Sequence, residues 1–122
     1  MAKITYTSKD KVPMTIYTGV KNSWQLELFH DDGTPLDATG YSYFCQVRAK
    51  PGGKLLAEMD IDLSQIAVGI LTMSLTAVNS ALIGARSGTY DILQREDADH
   101  TNVVPLFGGD AEIIPVSTEI PE

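Results

Sequence analysis

The stretch that most constrains this chain is residues 24–47, WQLELFHDDGTPLDATGYSYFCQV. Trp24, Leu26 and Leu28 fall on one side of an alternating run, opposed by Gln25 and Glu27. A polar segment built on Asp-Gly follows. A second alternating run then sets Tyr41, Tyr43, Cys45 and Val47 against Ser42, Gln46 and Arg48. Period-two alternation on both sides of a turn-forming linker reads as half-buried antiparallel strands, with a hairpin-like connection between them. A helix would need a period of 3.6, which neither run shows.

The same pattern recurs along the chain. Pro13 opens MTIYT, a strand with the proline at its permitted first position. Lys50-Pro51-Gly52-Gly53 is a strong reversal, and LLAEMDIDL after it reads as one strand with Leu55, Ala57, Met59, Ile61 and Leu63 on one face. Residues 70–75 alternate again. Residues 76–83 change character: Thr76 suits a helix cap, Val78, Leu82 and Ile83 are spaced as the inward side of one or two turns, and Gly84 ends the segment. TYDILQRED is a further strand, and EDADH a hairpin turn. NVVPLF and AEIIPV read as two last short strands separated by turn glycines Gly108-Gly109, with Pro105 and Pro115 pushing them toward an edge or a bulge. The expected fold is therefore all-β, an immunoglobulin-like β-sandwich of seven or eight antiparallel strands with one short helix near residues 76–83. Residues 1–12 form an N-terminal arm or short edge strand, and residues 13–122 a single sandwich domain.

At 122 residues the chain is one domain that buries roughly two-thirds of its unfolded surface. Nine Lys and Arg against sixteen Asp and Glu leave a net charge of −7, which excludes a nucleic-acid backbone as the expected partner, since no basic surplus displaces counterions. No apolar run has the length of a membrane span or a signal peptide, so synthesis in the cytoplasm and no membrane partner are expected. The single cysteine, Cys45, excludes an intramolecular disulfide.

No set of residues composes a catalytic or metal site. His30, Asp31, Asp32 and Asp37 share one loop and Glu96, Asp97, Asp99 and His100 another, but neither spacing matches a calcium loop, and solvated turns explain both. Two histidines in separate loops and one cysteine inside a strand supply no zinc set. Cys45 shares a face with Tyr41, Tyr43 and Val47, where a cysteine is inert core rather than a nucleophile. Serines lie outside any nucleophile elbow, and no glycine-rich phosphate loop precedes a helix. Trp24, Tyr17, Tyr41, Tyr43 and Tyr90 would make a sugar-stacking platform only if exposed in a row; their strand positions favour the core. No catalytic, cofactor-binding or metal residue is assigned, no cofactor is expected, and the chain is not read as an enzyme.

The order of motifs resembles a known family. Trp24-Gln25-Leu26-Glu27-Leu28, followed by Asp32-Gly33-Thr34-Pro35-Leu36-Asp37-Ala38-Thr39-Gly40-Tyr41, is similar to the "DG.P.DLTGY" stretch of the N-terminal, immunoglobulin-like domain of baseplate upper proteins of tailed phages. The match continues through Gln46-Val47-Arg48-Ala49-Lys50, Gly69-Ile70-Leu71 and Gly88-Thr89-Tyr90-Asp91-Ile92, and covers most of residues 13–117. Ala38 stands where the family usually has leucine. The resemblance implies a structural protein of a tailed-phage virion, made in the host cytoplasm. Family members usually continue into a fibre or receptor-binding region, and this sequence stops just after its last strand. The expectation is accordingly a small tail or baseplate adaptor, contacting other virion proteins and forming a homo-oligomer in the particle. The alternatives are a capsid decoration or head-fibre protein and, in another class, a carbohydrate-binding module.

Overall fold

A computed structural model of the chain describes residues 2–4 and 11–116. Two sheets pack face to face. One contains β1 (Ala2–Ile4), β3 (Asn22–Glu27), β7 (Ile70–Leu75) and β6 (Asp60–Asp62), in that spatial order. The other contains β2 (Met14–Thr18), β9 (Val103–Pro115), β8 (Ser87–Glu96), β4 (Tyr41–Arg48) and β5 (Leu55–Glu58). A 3₁₀ turn, Ile66–Val68, and one short helix, α1 (Ala77–Ala81), complete the described elements. The architecture is an immunoglobulin-like β-sandwich.

Alternation does what the sequence requires of it. β3 buries Asn22, Trp24 and Leu26, β7 buries Leu71, Met73 and Leu75, and β4 buries Tyr43, Cys45 and Val47. Ile16, Tyr90, Ile92, Phe107 and Ile113 close the same core from the remaining strands of the larger sheet. Inward side chains from both sheets make up one core.

Several expectations are corrected. Residues 24–47 do not form a hairpin: β3 belongs to the four-stranded sheet and β4 to the five-stranded one, so the loop between them crosses the sandwich. The ladders are not all antiparallel. β1 runs parallel to β3, and β2 parallel to β9, at the edges of their sheets. Each parallel pair joins segments that no local turn connects, which is why turn chemistry cannot reveal it. LLAEMDIDL is two strands, because the chain changes sheets at Met59: its N–H donates to the Cys45 carbonyl (2.9 Å) while Asp60–Asp62 pairs with β7.

Gly108 and Gly109 are not turn residues either. They lie inside the continuous β9 with φ outside the left-handed region. A Cβ on Gly108 would stand 2.4 Å from the Tyr90 carbonyl, and one on Gly109 2.5 Å from the Val12 carbonyl, so glycine is needed there for close approach of neighbouring backbone. With one strand split, two merged and β1 added, nine strands are found among the described residues where seven or eight were expected.

Residues 1 and 5–10 of the expected arm, and residues 117–122, lie outside the described residues. Lys11 bridges to Gly108, the Val12 N–H donates to the Gly108 carbonyl (2.9 Å), and Tyr90 Oη donates to the Val12 carbonyl (2.6 Å). These bonds extend the β2–β9 register toward the N-terminus.

The helix starts where expected. Thr76 is its N-cap, its hydroxyl accepting from the Asn79 N–H (3.1 Å). Its inward side differs from the expected one. Val78 and Leu82 are 72% and 75% exposed, while Ser80 and Ile83 are buried. A five-residue helix lies flat on the β2–β3 turn, and the residue beneath it must be small. Ser80 Oγ accepts from the Gly19 N–H (2.9 Å) and donates to the Val20 or Ala77 carbonyl (2.9 and 3.0 Å).

Candidate interaction surface

The acidic loops are built as turns. His30 to Gly33 closes with the Gly33 N–H donating to the His30 carbonyl (2.9 Å), Gly33 at φ +87°, and a small bridge between Phe29 and Pro35. Asp32 Oδ1 accepts from the Thr34 hydroxyl (2.7 Å) and N–H (2.9 Å), and Asp37 Oδ1 from the Thr39 hydroxyl (2.6 Å) and N–H (3.0 Å). In the other acidic loop Asp99 repeats the motif with Thr101, and Asp62 accepts from the Ser64 N–H. Hydrogen bonds from the hydroxyl and then the amide hold the Asp32, Asp37 and Asp99 carboxyls below their ordinary range; for Asp62 the Ser64 amide leads. Aspartate followed two residues later by Ser or Thr is a turn former with one carboxylate oxygen already engaged.

These loops share one end of the sandwich. The Asp97 N–H donates to the Gly40 carbonyl (2.9 Å), the Ala38 N–H to the Ile66 carbonyl (3.2 Å), and the Leu28 N–H to the Gly69 carbonyl (2.7 Å). Gly69 makes the crossing possible: at φ +77° a Cβ would stand 2.5 Å from the Leu28 carbonyl and 2.8 Å from that of Leu36. Glu96 and Asp97 accept from Asn102 Nδ2 (2.9 Å) and the Ser42 hydroxyl (2.6 Å). Among the described residues no group of three or more His, Cys, Asp or Glu is arranged to hold a metal ion.

Cys45 is a core residue. Burial, with Asp91 adding a smaller electrostatic contribution, pushes its thiol up to about 12, so thiolate is scarce at neutral pH. Trp24, Tyr43 and Tyr90 are buried as well, and Tyr90 meets the Phe107 ring edge-on at 6.3 Å. These three therefore form no sugar-stacking platform; Tyr41 is half-buried and Tyr17 is exposed.

What the domain does offer is the outward face of its five-stranded sheet. Cross-strand register sets its side chains in rows: Ser42, Arg95 and Val103; then Phe44, Leu93 and Pro105; then Gln46, Asp91 and Gly108; then Arg48, Thr89 and Asp110. Phe44, Leu55, Val103 and Tyr17, all outward on this sheet, are 39–46% exposed. The Arg95 guanidinium lies over the Phe44 ring at 4.8 Å, and its buried Nε has no acceptor among the described residues. Arg48 donates to the Gly53 carbonyl and to Gln46 Oε1 (2.8 Å each), pinning the 50–53 turn to the face. Two shallow grooves run between the rows, one of about 310 Å³ along Gln46, Arg48, Thr89 and Asp91 and one of about 530 Å³ along Thr15, Ser87, Asp110 and Glu112.

The sequence pattern sets Ser42, Gln46 and Arg48 on the polar side of their strand, but it groups Leu55 with the inward residues and Tyr17 with the core. Both are corrected here to outward, exposed positions, Leu55 because the ladder shifts by a bulge at Val47/Arg48 and Tyr17 because it alternates with buried Ile16. The usable signal was Phe44, a large apolar residue in a slot where its own strand is otherwise polar.

No family model matches the chain. No curated protein matches it. Among solved structures it is similar to the N-terminal domain of phage TP901-1 ORF48, with a TM-score of 0.56 and 12% identity over 93% of this chain and 97% of that one. The Lin-41 filamin domain matches with a TM-score of 0.45, 14% identity, and 81% coverage of both chains. The ZIG-8–RIG-5 IG1–IG1 heterodimer matches with a TM-score of 0.44 and 10% identity over 88% of this chain and 85% of that one. At such identities the likeness to the phage domain is one of fold.

Proposed function

We propose that this chain is a structural protein of a tailed-phage virion, a small tail or baseplate adaptor that works through protein–protein contacts and not through catalysis. The observation that carries this reading is the likeness, nearly end to end, to the N-terminal domain of a phage protein. It comes independently of the DGTPLDATGY resemblance in the sequence. The chemistry of the surface is in keeping with it. Asp32, Asp37 and Asp99 of the loops each engage a carboxylate oxygen in a turn, the one thiol is buried, and the side chains left outward on the larger sheet are suited to contact. In this reading the protein is made in the host cytoplasm and resides in the particle.

Mass spectrometry of gradient-purified phage particles from a lysate expressing this chain tests the reading. The chain is expected as a stoichiometric particle component, and a density map of the particle separates a tail or baseplate position from a capsid one. Its absence from purified particles overturns the proposal.

A further inference from the structure

Two outward sheet faces and one helix are available for contacts, and only one of the three suits a second copy of the same chain. The outward face of the five-stranded sheet carries Lys11, Arg48 and Arg95 against Glu58, Asp91, Asp110 and Glu112, a net of −1 in a chain of net −7. Two such faces meet without bulk repulsion. On β3, β6 and β7 of the four-stranded sheet the outward side chains other than half-buried Ile70 are polar (Ser23, Gln25, Glu27, Asp60, Asp62, Thr72 and Ser74), so self-pairing there has no apolar anchor. Helix α1 presents Val78 and Leu82, too little surface for a stable dimer.

Area points the same way. Five strands about 4.8 Å apart, with an eight-residue central strand rising about 3.4 Å per residue, span a face of roughly 24 by 27 Å. With its side-chain relief that approaches the ~800 Å² per partner of an ordinary specific interface. The face also has an apolar anchor in Phe44, Leu93, Val103 and Pro105, held rigid by the central strands rather than by loops.

We infer that the outward face of the five-stranded sheet is a self-association surface, on which two copies of this chain pair across a two-fold axis through the Phe44–Val103 region. An isologous contact of this kind uses one patch on both copies, which a charge-balanced apolar patch satisfies. The inference deepens the protein–protein role proposed above by naming a surface and a partner. Its failure is distinct from failure of that role, which is read from particle composition and not from the isolated protein.

The test is sedimentation velocity of the full chain from about 1 to about 200 µM, bracketing the micromolar affinities such interfaces commonly reach. The wild type is expected to pass from monomer to dimer over that range. Phe44→Asp combined with Val103→Asp is expected to weaken the dimer about tenfold or more, because both sites are exposed in the monomer and central in the dimer. Val78→Asp with Leu82→Asp on the helix is expected to leave it unchanged. If the first double variant melts well below the wild type, Val103→Lys alone decides. A wild type that stays monomeric overturns the inference. So does a dimer indifferent to the Phe44 and Val103 changes, or one abolished by the helix pair.

Discussion

The two sheets contribute alike to the core and differ in what they turn outward. On β3, β6 and β7 the four-stranded sheet shows small polar and acidic side chains, Ser23, Gln25 and Glu27 on β3, Thr72 and Ser74 on β7, Asp60 and Asp62 on β6, with half-buried Ile70 the exception among these three strands. The five-stranded sheet shows Phe44, Leu93, Val103 and Pro105 among charges of both signs. An antiparallel sheet needs one apolar face to fold, and its other face is free to vary. Apolar residues in that second set of slots are therefore not demanded by the fold. The proposed contact on the larger sheet rests on this difference.

Removing core side chains tests the part of the comparison where the sheets are alike, and gives the largest effects. Trp24→Ala is expected to destabilise the domain by about 3–5 kcal/mol, since Trp24 is 6% exposed between the sheets. Denaturant unfolding measures it, and a midpoint equal to the wild type would place Trp24 outside the core. On the other sheet, Gly108→Ala forces a Cβ against the Tyr90 carbonyl and is expected to cost about 1–3 kcal/mol. A neutral Gly108→Ala would mean that β8 and β9 are not as closely apposed as described.

Which residues face inward was legible, and how strands pair was not. The alternation of Trp24, Leu26 and Leu28 and of Tyr43, Cys45 and Val47 marks inward side chains whichever sheet holds them, because burial acts residue by residue. Sheet membership depends on partners remote in sequence. LLAEMDIDL alternates without a break across Met59 while the backbone changes sheets there, so the pattern carries no trace of the switch. Gly52-Gly53 and Gly108-Gly109 are the same dipeptide. The first closes a turn with Gly52 at φ +72°, and the second admits neighbouring backbone within a strand, a distinction made by what lies alongside. For the helix, the local rule expects Val78 and Leu82 to face inward, yet the close approach of the Gly19 turn selects Ser80. As for the site, the turn chemistry of the acidic loops is local and legible in Asp-Gly and Asp-x-Thr, whereas the outward face emerges only when cross-strand register brings Phe44, Leu93 and Pro105 into one row.

Single outward substitutions test where the faces differ, and their effects on the monomer are smaller. Phe44→Asp loses the Arg95 stacking and is expected to cost about 0.5–1 kcal/mol. Thr72→Lys, in the middle of the acidic face, is expected to stay within about 0.5 kcal/mol of the wild type. Thermal melts measure both. The comparison sharpens if Phe44→Asp alone also changes the sedimentation coefficient at high concentration. It breaks if Thr72→Lys does so instead.

The smallest effect distinguishes the faces by pH. Asp32, Asp37, Asp62 and Asp99 all have carboxyls held below the ordinary aspartate value of 3.8 by their Ser or Thr partners. A lowered folded-state value means that the unfolded chain takes up the proton first as pH falls. The stabilisation from these turns is therefore complete above the unfolded value and is lost as pH drops through the lower folded ones. All four side chains are exposed, so each loss is small, and it appears only in acid below about pH 4. Asp62 alone of the four stands on an outward sheet face, that of the smaller sheet; none stands on the larger sheet's face. Carbon-detected NMR titration of the four carboxyls is expected to give midpoints below 3.8, with the Thr34, Thr39, Ser64 and Thr101 amide signals moving in step. Midpoints at or above that value would mean that the Asp-x-Ser/Thr bonds do not persist in solution, and the acidic loops would have to be read again as groups free to bind.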